Sequence, residues 1–252
     1  MDQERNTIIN AYKYAFNDGQ IDANPAKELP RFQPSSDVKH CREFCPQTAD
    51  ELHEIAKLFF VNRKSEVLRW QLLFEAMTGL RTEEVVAMRM DAKPGQLGHV
   101  RSDGNMDVGR VKKGANPFVF IHVGFKEVLK AHAVWHAARY PNSPWYFPGR
   151  EESALKPVGK RALAHRLGQL RGKIGRKITS HGMRAFYVLI RRSQGVSDAI
   201  IAWEIGHTSG GAVIESTYGS APLNWQNGGG PNLKWLPNEK LAWKSIKPID
   251  AP

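Results

Sequence analysis

The stretch from Gly95 to Val123 limits the architecture most. Glycine stands at positions 95, 98, 104, 109 and 114 and cuts the chain into pieces too short for helices. His99–Arg101, Met106–Val108 and Phe118–Val123 read as strands of a small antiparallel sheet, with Lys112–Pro117 as the turn before the last of them. On either side, apolar residues recur near the helical period. Ile8, Ile9, Tyr12 and Phe16 mark a helix over 2–18, stopped by Asn17-Asp18-Gly19. Thr48 and Glu51 form a capping-box pattern ahead of the stripe Leu52, Ile55, Ala56, Phe59, Phe60. A helix over 66–77 ends at Gly79, and Thr82 opens another that runs through Met88. Helices are expected again over Lys126–Arg139, Pro157–Ile174, Ser180–Ser193, Ser197–Ile205 and about 211–217, while Ser143–Pro148 reads as a short buried extended piece. The expected fold class is mainly α with one small antiparallel β-sheet, an α+β arrangement without internal repeats.

Residues 29–47, with Pro30, Pro34, Ser35, Ser36 and Pro46, read as an extended, exposed linker. They divide the chain into a lone helix (1–28), the linker (29–47), a body (48–220) and a tail (221–252). A single helix ahead of a linker suggests the end of a preceding domain, in a chain that is either naturally short or cut down. Trp225, Trp235 and Trp243 in the tail are expected to dock on a neighbouring subunit or back on the body.

With 36 Lys and Arg against 25 Asp and Glu, the net charge is +11, the electrostatic footprint of a nucleic-acid binder. The longest apolar runs are too short to span a bilayer, and the polar N-terminus carries no secretory signal, so a cytoplasmic location is expected. Cys41 and Cys45, with His40 and His53, lack the spacing of a zinc site, and no metal is expected.

His181 and Arg184 lie three residues apart, on one face of the helix expected over 180–193 and in its first turn. Thr179 or Ser180 can cap that helix, and its N-terminus favours an anion. A guanidinium donates two parallel hydrogen bonds to a phosphate. His207, Arg81 in Thr78-Gly-Leu-Arg81 and the hydroxyl of Tyr218 complete a set suited to a phosphodiester.

These residues resemble the tyrosine recombinase (phage integrase) family. Thr78-Gly-Leu-Arg81, followed by Glu84 on the next helix, is similar to its first box, and Thr179-Ser-His-Gly-Met-Arg184 to its second. Gly195-Val196, Ile200-Ile201 and Glu204-Ile-Gly-His207 resemble the element that follows, and Tyr218 stands where the nucleophile belongs. Ala11-Tyr12, Ala15-Phe16 and Asn24-Pro25 resemble the end of the family's core-binding domain, which would make 1–28 its last helix and 48–220 the catalytic domain. The 23-residue interval from Arg184 to His207 fits the family. The 11 residues from His207 to Tyr218 are two more than usual, and Ser209-Gly210-Gly211 could take up the excess or deliver the tyrosine to a neighbouring protomer.

The resemblance implies a site-specific DNA recombinase that cleaves and rejoins DNA through a 3′-phosphotyrosyl intermediate, for integration or excision of a mobile element. Arg81 and Arg184 would clamp the scissile phosphate, His181 would move a proton, His207 would be a further donor, and Tyr218 would attack. Glu84 would buttress the site. A hairpin lysine would protonate the leaving 5′-oxygen. Aligning on Pro117 selects Lys113 and aligning on Gly114 selects Lys112; Lys113 is taken here, with Lys112 as a backbone phosphate contact. His122-Val123 departs from the Pro-Leu usual at that hairpin. Lys173, Arg176 and Lys177 are placed to meet DNA phosphates, and the basic segment 157–174 could track the backbone. Tyr140 and Tyr187 read as packing aromatics. No cofactor is implied. The implied partners are double-stranded DNA at specific sites, a homo-tetramer assembled by exchange of C-terminal segments, and accessory DNA-bending or directionality factors, but no membrane; the protein would act at the nucleoid. The alternatives are a relaxing enzyme of the type IB topoisomerase kind and a catalytically silent DNA-binding module.

Overall fold

The computed structural model describes residues 2–25, 44–59, 63–102, 105–107, 118–119, 123–149 and 155–206, together with Ile214 and Tyr218. The chain divides into two compact units, residues 1–39 and 40–252. The first contains helix α1 (Asp2–Asn17), whose Ile8, Tyr12 and Phe16 are exposed.

In the second unit α2 is Ala49–Lys57, α3 Arg63–Thr78 and α4 Thr82–Val86. Strands β1 (Met106–Asp107) and β2 (Phe118–Val119) precede α5 (Val123–Arg139), α6 (Ala162–Ile174), α7 (Ser180–Ser193) and α8 (Asp198–Glu204). Thr48 caps α2 by accepting the Glu51 N–H at 3.1 Å. Helix α3 is the axis of the unit and packs against α2, α4, α5, α6 and α7. From Glu66 to Thr78 every residue but the half-buried Leu68 is buried, so this part of α3 shows no solvent stripe, the mark of an interior helix. Phe74 meets Phe125, His132, Tyr146 and Phe147 with ring centroids 5.0–5.8 Å apart, mostly edge to face. Truncating such a residue to alanine costs about 3–5 kcal/mol. Against α3 lies α7, buried from Gly182 through Ile190.

The sheet is antiparallel, with Met106 opposite Val119 and Asp107 opposite Phe118. Val100 adds a bridge to Met106, and Asp107 donates its N–H to His99 O at 2.8 Å, so the first expected strand is present as a single rung. Three expectations need correction. The strand expected over 118–123 does not reach its end, because Val123 already begins α5. The helix expected from Pro157 begins only at Ala162, because Val158 N–H binds Phe147 O at 2.8 Å and Pro157 bridges Pro148. Cys45 and Pro46, expected in an exposed linker, are buried: the backbone at Phe44 crosses the N-terminus of α7, where its carbonyl accepts the Thr179 N–H at 3.1 Å. The rest of that linker (29–43), the turn at 112–117, His40, Cys41 and the tail from 221 lie outside the described residues.

Candidate active site

The site forms where the end of α3, the start of α4 and the first turn of α7 converge. Thr78 closes α3: its hydroxyl donates to Phe74 O at 2.6 Å and accepts the Leu80 N–H at 3.2 Å. Gly79 turns the chain with φ of +65°, a conformation that suits glycine. Arg81 then sits at the N-cap of α4 with extended backbone. Glu84, three residues on and buried, accepts both the Arg81 backbone N–H (2.7 Å) and its Nη1 (3.1 Å). This carboxylate fixes the arginine at both ends, and Arg81 keeps 30% of its side chain exposed.

Thr179 caps α7, its hydroxyl accepting the Gly182 N–H at 3.0 Å. A Cβ at Gly182 would lie 2.0 Å from Phe44 O, so the crossing chain requires glycine there. His181 and Arg184 follow in the first turn. Arg184 is 2% exposed. Its guanidinium donates Nη1 to Gly79 O (2.6 Å), Nη2 to Ile205 O (2.5 Å) and Nε to the Tyr218 hydroxyl (3.2 Å). These bonds use three of its five N–H groups; the remaining two have no partner among the described residues. Burial holds the Arg184 pKa below the ordinary arginine value, yet the group remains cationic.

Tyr218 is helical and 2% exposed, and it meets the arginine of its own chain. Its ring lies nearly parallel to that of His181, with centroids 6.2 Å apart. Partial desolvation, followed by the charges of Arg184 and Arg81, lowers the His181 pKa from its ordinary value and favours the neutral imidazole. A cavity of about 500 Å³ is lined by His181 and Arg184 together with Arg81, Glu83, Lys160, Arg161 and Ser180. Four permanent cations against one carboxylate make it an anion site, and the N-terminus of α7 adds its dipole.

The structure therefore brings together Arg81, Glu84, His181, Arg184 and Tyr218. His207, Lys112 and Lys113 lie outside the described residues. Lys173 is exposed at the end of α6, and Lys177 is exposed with Nζ 5.1 Å from the Phe44 ring centroid. Arg176 is engaged elsewhere: it binds Glu51 Oε1 through Nε (3.0 Å) and Nη2 (2.5 Å), and Cys45 O through Nη2 (2.7 Å). In the sequence Lys160 and Arg161 stand out only as part of the basic segment 157–174; their place at the cavity follows from the late start of α6 at Ala162. Tyr187 is buried and donates to Glu204 at 3.0 Å. Burial, reinforced by that carboxylate, pushes its phenol pKa far up, so it stays a protonated donor.

Comparison with known families finds no matching family, and comparison with curated proteins finds none. Solved structures do match. A lambda integrase tetramer bound to a Holliday junction aligns at a TM-score of 0.60 with 18% identity, over 86% of this chain and 59% of that one. A lambda integrase dimer bound to a COC′ core site aligns at 0.58 with 18% identity, over 87% of this chain and 58% of that one. XerA recombinase aligns at 0.52 with 15% identity, over 71% and 61%. The chain thus spans about three-fifths of the length of these proteins.

Proposed function

We propose that this chain, which has the tyrosine recombinase catalytic-domain fold, is a DNA strand transferase that cleaves and rejoins DNA at specific sites through a tyrosyl intermediate. The observation that carries the reading is the Tyr218 hydroxyl 3.2 Å from Nε of Arg184, an arginine that itself lines a cationic cavity. A tyrosine oxygen held against a buried guanidinium supports its reading as the nucleophile, because phosphate charge developing beside it would be stabilised.

A scissile phosphate entering the cavity would bind Arg81 from the α4 side and the two remaining N–H groups of Arg184 from the α7 side. Tyr218 Oη would attack phosphorus, forming the P–O(Tyr) bond while the bond to the 5′-oxygen breaks. His181, neutral and adjacent, would take the phenolic proton. The 5′-oxygen would leave with a proton from Lys113, or from Lys112 if that lysine occupies the hairpin position, and His207 would be a further donor to the phosphate. Rejoining is the same sequence reversed with a 5′-hydroxyl from another strand; the covalent link retains the bond's free energy, so no nucleotide is consumed. Lys160, Arg161, Lys173 and Lys177 would contact DNA backbone around the site. Integration or excision of a mobile element, assembly as a tetramer on two sites and the help of accessory factors belong to the same proposal.

The test is a suicide DNA substrate, nicked so that the cleaved strand diffuses away. Wild-type protein is expected to give a covalent adduct on a denaturing gel, and Tyr218→Phe none. DNA binding without an adduct from wild type would favour a silent binding module. An adduct that survives Tyr218→Phe would place the nucleophile elsewhere.

A further inference from the structure

Arg184 is mounted on backbone. Two of its three bonds go to carbonyls, one from Gly79 at the end of α3 and one from Ile205 just past α8. A carbonyl holds a guanidinium in place only if its own segment is fixed, and both segments meet one group of side chains. Glu204 precedes Ile205 and is 8% exposed. It accepts Arg191 Nε at 2.9 Å, Arg191 Nη2 at 2.5 Å and the Tyr187 hydroxyl at 3.0 Å. Arg191 and Tyr187 both stand on α7, the helix that carries Arg184, so the carboxylate ties the end of α8 to α7 across three bonds. The Tyr187 ring also walls Gly79: a Cβ there would lie 2.7 Å from Tyr187 Cδ1 and 2.7 Å from Ile205 Cγ2. The same tyrosine and the same turn therefore set both carbonyls.

We propose that Glu204, acting through Tyr187 and Arg191, is a positioning residue that holds the Gly79 and Ile205 carbonyls in register and thereby aims Arg184 at the phosphate. The inference rests on the strand-transfer reading for its catalytic consequence, but the mount itself can be measured without it. Glu204 touches neither Arg184 nor the cavity. Its effect on chemistry passes through Arg184, as outer hydrogen-bonding partners act through the groups they orient, where loss typically lowers activity about 10–100-fold.

The test uses Glu204→Gln and Tyr187→Phe, which remove a charge and a hydroxyl with little change of volume. In single-turnover cleavage of the suicide substrate, each is expected to slow adduct formation about 10–100-fold, while DNA affinity stays within about threefold. Each is then combined with Arg184→Lys. If Glu204 acts through the guanidinium, the double variant is no slower than Arg184→Lys alone; rate losses that multiply would overturn the proposal. The second readout is independent of activity. The Arg184 Nε–H resonance, assigned by its absence in Arg184→Lys, is expected to be slow to exchange in the wild type and to broaden or shift in Glu204→Gln. An unchanged Arg184 resonance in both variants would overturn the inference whatever the cleavage result. Conversely, a wild type that makes no adduct but shows the expected resonance change would remove the strand-transfer reading and leave the mount standing.

Discussion

Replacing Gly79 with alanine puts numbers on the site's tightest junction. At φ of +65° an L-residue meets the left-handed penalty, about 1–2 kcal/mol. The new methyl would also lie 2.7 Å from Ile205 Cγ2 and from Tyr187 Cδ1, contacts that force side chains or backbone to shift, at about 1–3 kcal/mol. The expected destabilisation is the sum, about 2–5 kcal/mol. Gly175 supplies the control: its φ is +81°, but nothing lies within 4 Å of an added Cβ. Gly175→Ala should lose only the backbone part, so the two variants should differ by about 1–3 kcal/mol. Urea denaturation at equal m-values measures both. In a thermal scan the difference corresponds to about 2–4 °C per kcal/mol for a chain of this size. The suicide-substrate assay should separate them as well, because only Gly79 lends its carbonyl to Arg184. A Gly79→Ala protein no less stable than Gly175→Ala would refute the argument that Tyr187 and Ile205 close on this turn.

Other outcomes follow from the same geometry. Burial pushes the Glu75 carboxyl up to about 8, against the opposing hydrogen bonds from Gln71 and Thr82. The folded state therefore keeps a proton that the unfolded chain releases above about 4.5, and stability should fall as pH rises from there to about 8, by up to about 1.4 kcal/mol per pH unit. Glu75→Gln should flatten that slope and be the more stable protein at pH 8, as equilibrium denaturation across pH would show. Lys160→Ala should weaken DNA binding and lower the slope of log affinity against log salt by about 1, and Lys173→Ala should do the same. Arg176→Ala should leave that slope unchanged and instead reduce stability by about 0.5–1.5 kcal/mol, because it removes the guanidinium bonds to Glu51 and the Cys45 carbonyl while Gln47 still binds both. The lowered His181 pKa keeps the imidazole neutral to more acidic pH. The acid limb of adduct formation should therefore lie on the acid side of an ordinary histidine's, and His181→Gln should lose that limb.

What the sequence made legible was local. Helix α7 spans Ser180–Ser193 as its apolar period predicts, because a capping threonine and a continuous apolar face act within the segment itself. Glu84 meets Arg81 because three residues is one helical turn. Long-range partners were hidden. Arg176 reads as one more basic residue before His181, yet its acceptors are 125 and 131 residues away. The burial of Cys45 and Pro46 depends on where α7 lies, which proline and serine content does not encode. Glu204 stands in a segment similar to a family box, yet its pairing with Tyr187 and Arg191 arises only when α8 folds back on α7. The late start of α6 has the same origin, since Pro157 and Val158 are claimed by a neighbouring extended piece.

The mount of Arg184 also bears on how such a site can diverge. Two of its three acceptors are peptide oxygens, and every residue type supplies one. Position 205 can change side chain without removing the acceptor, provided the chain path stays the same; only position 79 is bound to glycine. Selection on these two contacts falls on backbone trajectory and on the few residues that shape it, in contrast to the third contact, which needs the Tyr218 hydroxyl. A mount built this way tolerates exchange of most of the surrounding letters so long as the chain path is kept.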